Sequence, residues 1–144
     1  MDLSKIIAVS GRPGLYKINT QTRAGVVATS LIDGKRITAN ASVQISVLGE
    51  IQVYCIGKET PLLDVFVKIL AFESGNPSSI SPKSSSVELE AYFFKILDNY
   101  DEERVYPNDI KKILQWYNLL LSKKMITLTK SKEVFTNKSE VEKI

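Results

Sequence analysis

The stretch Val26-Val-Ala-Thr-Ser-Leu-Ile-Asp-Gly-Lys-Arg-Ile-Thr-Ala39 predicts a β-hairpin and decides the fold of the first half of the chain. Asp33-Gly34 suits a two-residue type I′ turn, because both central positions of that turn need a positive φ. On either side of the turn, residues 26–32 and 35–39 are rich in residues that favour strands. We therefore expect this part of the chain to be a sheet of short, tightly connected strands.

Short strands continue outward from this hairpin in both directions. Gly11-Arg-Pro-Gly14 is typical of a turn, and residues 15–18 then alternate in polarity as a strand does. Residues 50–56 form the last predicted strand of this region. Four or five short strands within roughly 45 residues predict a small, strongly bent sheet or barrel.

The second half of the chain carries the signals of three helices. Thr60-Pro61 reads as an N-cap followed by proline at the first helical position. Ser85-Ser-Val-Glu88 fits the capping box of a second helix, and Asn108 is the predicted N-cap of a third. The second and third helices are both amphipathic, so we expect them to pair as a helical hairpin.

We therefore predict an α+β protein in four parts. Residues 1–73 form a small β-barrel with a packed helix, and residues 74–86 form a Ser/Pro-rich linker. Residues 87–126 form a helical domain, and residues 127–144 form a polar tail. The linker carries seven serines, two prolines and one glycine, a composition that favours a flexible tether.

The composition limits the chemistry. The chain has no histidine and one cysteine, Cys55, in an apolar stretch that indicates a buried side chain. This excludes Ser-His-Asp and Cys-His nucleophiles and the usual zinc sites. The acidic run at residues 98–103 lacks the order of an EF-hand, and Arg104 follows it, so we interpret it as a polar loop. We expect no catalytic residue, no cofactor, no metal and no enzymatic activity; the enzymatic alternative would have to use carboxylates, lysine or tyrosine.

The start of the chain contains an early acid and only four successive apolar residues, unlike a signal peptide. No run approaches the roughly 18 apolar residues of a membrane span. We therefore expect a cytoplasmic protein that does not bind membranes.

A basic stretch is the first candidate for binding. Residues 12–36 hold one acid, Asp33, and five cations, which gives a local charge of +4. The cations are Arg12, Lys17, Arg23, Lys35 and Arg36. Small barrels can bind nucleic acid with basic loops and exposed aromatic side chains, for which Tyr16 and Tyr54 are candidates. Arg23 and Lys35 lie in turns at opposite ends of one predicted strand, up to roughly 30 Å apart, so a patch would run along the sheet. The alternative is that these residues are solvated charges of hairpins.

Trp116 is the second candidate for binding. On the third helix it lies about 100° from Tyr117, which is on the apolar stripe, so both side chains cannot point fully into the core. Trp116 either packs on the first helix or the barrel, or it is a partly exposed anchor of an interface.

Two longer stretches resemble a known family. Lys5-Ile-Ile-Ala-Val-Ser-Gly-Arg-Pro-Gly-Leu-Tyr-Lys17 and Tyr100-Asp-Glu-Glu-Arg-Val-Tyr-Pro-Asn-Asp-Ile-Lys-Lys-Ile-Leu-Gln-Trp-Tyr-Asn118 are similar to two signatures of a family of uncharacterised bacterial proteins common in the Bacteroidetes. The resemblance spans residues 3–120. It implies a small N-terminal β-barrel of the Src-homology or Tudor type and a helical C-terminal domain, and it brings no catalytic residue with it.

Together these observations predict a non-enzymatic interaction (adaptor) module whose partner is another protein. The alternative is a protein that binds nucleic acid or the ribosome through the basic face of the barrel. The candidate binding residues are Arg12, Tyr16, Arg23, Lys35, Arg36 and Trp116.

Overall fold

The computed structural model describes residues 3–12 and 14–126. These residues divide into two compact units, with the division after Ile51. We call residues 3–51 the N-terminal unit and residues 52–126 the C-terminal unit. This division differs from the predicted grouping of residues 1–73 as one part, because the chain after residue 51 packs with the helices that follow it. The predicted tail at residues 127–144 lies outside the described residues.

The N-terminal unit is one antiparallel sheet of five strands in the order β4-β3-β2-β1-β5. The strands are β1 (Ile6–Val9), β2 (Tyr16–Thr22), β3 (Gly25–Ser30), β4 (Arg36–Asn40) and β5 (Ile45–Val47). A short 3₁₀ turn, Leu48–Glu50, follows β5. Alternate residues of β3 are buried, the pattern of a sheet that is apolar on one side.

Side chains of all five strands share one apolar core. Ile37 and Ala39 from one edge strand, β4, and Ile45 and Val47 from the other, β5, belong to the same cluster. Among the described residues no ladder joins β4 to β5. The structure thus confirms an α+β protein with a small antiparallel sheet, and the strong bend of the sheet and its closure into a barrel stay predictions.

The β3–β4 connection differs from the predicted hairpin. It contains five residues, 31–35, rather than the two of a type I′ turn. The Asp33 side chain accepts a hydrogen bond from the Lys35 N–H at 3.0 Å, and the Lys35 carbonyl accepts one from the Ser30 N–H at 2.8 Å. The prediction of a two-residue turn was wrong because Asp33 turns the chain through its side chain, with Gly34 at φ +75°.

The C-terminal unit combines a β-hairpin with three helices. Its elements are β6 (Gln52–Cys55), β7 (Lys58–Pro61), α1 (Leu62–Phe72), α2 (Ser86–Ile96) and α3 (Pro107–Ser122). The connection between α2 and α3 lies along β6, because the Ile56 N–H donates to the Asn99 carbonyl and the Asp101 N–H to the Tyr54 carbonyl. None of the helices within residues 3–126 is long and apolar enough to span a membrane.

The helix starts were predicted unequally well. The capping box of Ser85 and Glu88 is present at the start of α2, as predicted. Helix α3 begins earlier than predicted, at Pro107, and Asn108 is not its N-cap. The Asp109 carboxylate accepts from the Tyr106 N–H at 3.0 Å instead. Helix α1, in contrast, begins one residue later than predicted, at Leu62, and Thr60 belongs to β7.

The Ser/Pro-rich segment at residues 74–86 lies inside the C-terminal unit and does not join two units. Asn118 of α3 accepts a hydrogen bond from the Ser78 N–H at 2.9 Å and donates one to the Ser78 hydroxyl at 3.0 Å. The Tyr117 hydroxyl donates to the Asn76 carbonyl at 2.7 Å. The composition predicted a tether because it shows only that the segment is poor in apolar residues, whereas α3 supplies polar partners for the backbone at Asn76 and Ser78.

Candidate functional site

The outward face of the N-terminal sheet carries a row of polar residues across three strands. In the register of the sheet, Lys17 of β2 lies opposite Thr29 of β3, which lies opposite Arg36 of β4. Residues directly opposite one another point to the same face, and strand spacing separates Lys17 from Arg36 by roughly 10 Å. Both cations are exposed, and the Thr29 hydroxyl accepts a hydrogen bond from Asn19 at 2.7 Å.

Further cations lie at the same end of this sheet. Strands β1 and β2 are antiparallel, as are β3 and β4, so the β1–β2 connection with Arg12 and the β3–β4 connection with Lys35 share one end. A hydrogen bond of 2.9 Å from the Leu31 N–H to the Leu15 carbonyl joins the two connections. We call Arg12, Lys17, Lys35 and Arg36 the basic end of the sheet. Arg23 lies at the opposite end of β3, as predicted.

The basic end is not neutralised within its unit. The described residues of the N-terminal unit include six cations, of which none forms an ion pair with another described residue, and two acids, Asp33 and Glu50. The hydrogen bond from the Lys35 N–H is the largest of the effects that lower the pKa of Asp33 below its ordinary value, so its carboxylate is charged at neutral pH. The unit therefore presents a net positive surface.

The aromatic residues predicted to stack on bases do not lie on this surface. Tyr16 is only 5% exposed and belongs to the sheet core, because its position in β2 faces inward. Tyr54 is in the C-terminal unit, where the Arg104 guanidinium covers its ring at 4.8 Å. The prediction that Tyr16 is an exposed binding residue was wrong, and no described residue of the N-terminal unit is an exposed aromatic.

Trp116 is half-buried on α3. This agrees with its predicted place at the edge of the apolar stripe, since its neighbour Tyr117 is fully buried.

Helix α2 is apolar on two faces. Its buried face consists of Leu89, Tyr92, Phe93 and Ile96. On the outward side Val87, Ala91 and Phe94 follow one another at the i, i+4, i+7 spacing of a second stripe. Val87 is 75% exposed and Phe94 is 51% exposed. Sequence reasoning missed this surface, although the spacing was there to be found, because the stronger buried stripe was taken as the only one.

Two depressions flank Phe94. One has a volume of about 220 Å³ and the other about 410 Å³, and Phe94, Tyr100 and Glu102 line both. Ile56, 67% exposed, lines the larger one. The Phe94 ring meets the Tyr100 ring nearly edge-on, with centroids 6.2 Å apart. We call the outward stripe of α2, Ile56 and the acidic residues that line the two depressions the α2 surface.

The α2 surface is acidic. Among the residues that the structure describes, five carboxylates line the two depressions and no cation does. They belong to Glu90, Asp98, Asp101, Glu102 and Glu103. Arg104 forms an ion pair with Asp101, with 3.4 Å between Nε and Oδ2. Burial raises the pKa of Tyr100, and the negative charges of Glu102 and Glu90 raise it further. Within residues 3–12 and 14–126 no group of three or more carboxylates or thiols is arranged to hold a metal ion.

Comparison with known proteins matches each unit separately. One family, Domain of unknown function (DUF5606), matches residues 3–48, and another, Domain of unknown function (DUF6852), matches residues 51–120. The chain is also similar to a structural genomics target from Bacteroides vulgatus, solved by solution NMR. The two chains are 36% identical with a TM-score of 0.73, and the match covers 86% of this chain and 89% of the other. The comparison with curated proteins returned no match.

Proposed function

This chain belongs to a family of Bacteroidetes-type bacterial proteins built from two domains of unknown function, and we propose that it acts as a non-enzymatic interaction (adaptor) module in the cytoplasm. The observation that carries the proposal is the outward apolar stripe of α2. Contiguous exposed apolar side chains with a polar rim are typical of protein interaction sites. The partner in this proposal is another protein.

The stripe is not needed to hold α2 in place. Leu89, Phe93 and Ile96 already bury the opposite face of the helix. Polar residues at Val87 and Phe94 would leave that packing unchanged. Covering Val87, Phe94 and the neighbouring Ile56, each of them half or more exposed, would contribute on the order of 3 kcal/mol to association. A partner that covers the stripe therefore gains affinity.

The absence of catalytic activity is part of the proposal. Cys55 is buried, as predicted, and its Sγ lies 3.3 Å from the Thr60 hydroxyl. A thiol in this position is withdrawn from substrates. The proposal that the chain has no catalytic activity is also supported by the missing histidine, because histidine is the commonest general base at neutral pH.

Affinity capture from native lysate tests the proposal. The intact chain is the bait, with and without nuclease, beside a V87S/F94S variant and an I32S control. Ile32 is 53% exposed in the N-terminal unit, so its replacement removes a similar apolar side chain elsewhere. We expect the intact chain to capture a protein partner both with and without nuclease. The I32S variant should capture the same partner, and the V87S/F94S variant should not. Recovery of no specific partner would contradict the proposal.

A second candidate function is nucleic-acid or ribosome binding, and the basic end of the sheet favours it. Arg12, Lys17, Lys35 and Arg36 could contact phosphates, and such binding weakens steeply with salt. Without an exposed aromatic in the described N-terminal unit, base stacking would add nothing. The K17E/K35E/R36E variant should therefore bind RNA at least tenfold more weakly, and R23E, at the other end of β3, should bind almost normally. Equal RNA binding by the unchanged chain, K17E/K35E/R36E and R23E would contradict this second candidate function.

Two structural details belong to the same proposal. The first is that the bent sheet closes as a small barrel of the Src-homology or Tudor type, supported by the shared core of β4 and β5. The second is that α2 and α3 form a helical hairpin. Nuclear Overhauser contacts between Ala39 and Ile45 methyl groups would support the first detail, and their absence would speak against it.

A further inference from the structure

We infer that the partner bound by the α2 surface is a basic amphipathic helix, with apolar residues along one face and lysine or arginine on both sides of them. The inference rests on the proposed interaction function and names the chemistry of its partner. Three properties of the surface lead to it: its shape, its charge and its rigidity.

The shape suits a helix. Val87 and Phe94 are seven residues apart, so the stripe is roughly 10 Å long at 1.5 Å per residue. A helix laid along it presents anchors at i, i+3 or i+4 and i+7, the spacing of helix-in-groove recognition. The depressions of about 220 and 410 Å³ on the two sides of Phe94 can each receive an apolar side chain from such a helix.

The charge selects a basic partner. The whole chain carries a net charge of +3, yet among the described residues every charged side chain that lines the depressions beside Phe94 is a carboxylate. Four of the five, all except Asp101, have no ion-pair partner among the described residues. Such a surface attracts lysine and arginine, and it repels nucleic acid, anionic membranes and acidic peptides.

The surface is held in place before binding. Tyr100, which supports the Phe94 ring, is 3% exposed and also meets the Phe93 ring at 5.0 Å. The backbone on both sides of Tyr100 is hydrogen-bonded to residues 54 and 56 of the β6–β7 hairpin. A surface that is already ordered loses little conformational entropy on binding.

The experiment measures binding of synthetic peptides to the intact chain by fluorescence anisotropy. The probe is a 15-residue helix of leucine and lysine, with leucine at the i, i+3, i+4, i+7 positions. A peptide with glutamate in place of every lysine is its control. We expect the lysine peptide to bind at least tenfold more tightly than the glutamate peptide, with an affinity that falls as salt rises.

Variants then locate the binding surface. F94S and E90K/E102K should each weaken the lysine peptide at least tenfold. I32S and E59K, which change an exposed apolar residue and an exposed acid that do not line the two depressions, should stay within twofold of the unchanged chain. Circular dichroism of every variant shows whether its fold is kept. Equal binding of both peptides, or equal binding by F94S and the unchanged chain, would overturn the inference.

Lysate capture separates this inference from the proposed function. A protein partner that V87S/F94S loses, together with no binding of the lysine peptide, would keep the interaction function and overturn the basic helix as partner. A bound lysine peptide with no partner in lysate would overturn the adaptor function and leave the chemistry of the surface supported. Sedimentation velocity tests whether a second copy of the chain occupies the stripe instead. Self-association of the intact chain that F94S abolishes would show that it does, and would overturn the inference.

Discussion

The sheet of the N-terminal unit and helix α2 of the C-terminal unit differ in what they turn outward. Strands β2, β3 and β4 place Lys17, Thr29 and Arg36 on the outward side. Helix α2 places Val87, Ala91 and Phe94 there. The outward row of the sheet is polar and solvated, whereas the outward stripe of α2 leaves apolar side chains exposed on the side opposite the buried face of the helix. The difference teaches that an exposed apolar stripe is more informative about function than an exposed polar row, because polar residues are expected on any solvated surface.

The two neighbouring phenylalanines of α2 sharpen this comparison most. Phe93 is fully buried and Phe94 is 51% exposed. We expect F93A to lower the free energy of unfolding by about 3–5 kcal/mol, because it leaves a cavity in the core. F94A, with the same chemical change one residue away, should lower it by less than about 1 kcal/mol while it weakens partner binding. Urea unfolding measures both, and similar losses in the two variants would show that α2 has no functional face.

A substitution at Gly25 tests the sheet of the N-terminal unit, the other region in this comparison. Gly25 starts β3 with φ +147°, and a Cβ there would overlap the Ala39 carbonyl and lie 2.7 Å from the Asn40 Cα. We expect G25A to destabilise the chain by about 2–3 kcal/mol, since β4 must move away from β3. The control is G34A, because Gly34 also has a positive φ but open space around it. A loss with G25A no larger than with G34A would contradict the close approach of the two strands.

Raising the pH tests two buried tyrosine hydroxyl groups of the C-terminal unit: that of Tyr117 donates to Asn76 of the Ser/Pro-rich segment, and that of Tyr92 donates to Glu73 just before the segment. Burial, and then the charge of Glu73, raises the pKa of Tyr117 to about 12, and burial and a hydrogen bond to Glu73 raise the pKa of Tyr92. An unfolded tyrosine has a pKa of about 10, so it loses its proton first. Stability should therefore be full below pH 10 and fall as the pH rises through the folded pKa values, by about 1 kcal/mol near pH 11 for Tyr117. Unfolding of the unchanged chain and of Y117F between pH 9 and 11 measures this, and an identical slope for the two would contradict it.

The smallest effect is expected at Asn118. Its side chain makes two hydrogen bonds with Ser78. N118A should lower the free energy of unfolding by roughly 1 kcal/mol, because the Ser78 N–H loses its partner in a partly buried place. Hydrogen exchange of the Ser78 amide should quicken in N118A and stay unchanged in Q115A, an exposed position on the same helix. An unchanged exchange rate in N118A would support the original prediction of a tether.

Local signals in the sequence predicted local structure well. The first helix lies close to its predicted start at Thr60-Pro61, from Leu62 to Phe72, and the capping box of Ser85 is present. Both depend on residues within one or two helical turns. The β3–β4 connection was predicted less well, because the Asp33 side chain competed with the backbone turn that the Asp-Gly pair suggested.

The candidate sites show the same limit. The positive charge of residues 12–36 was visible in the sequence, but only strand pairing brings Arg12 and Lys35 to one end of the sheet and leaves Arg23 at the other. Tyr16 was offered for stacking on bases, and the sheet turned it inward. Which of two alternating faces is buried depends on what the sheet encloses, and that is a property of the whole unit.

By itself the sequence determined the α+β class, the number and order of the helices, and the exclusion of histidine chemistry, because these depend on composition and short-range periodicity. Only the tertiary structure decided that residues 74–86 lie on α3 and that Phe93 is core while Phe94 is surface. It also decided that Glu90 from the middle of α2 and carboxylates from the loop after the helix converge beside Phe94. Burial and convergence are set by contacts between residues far apart in the chain, which no local pattern contains.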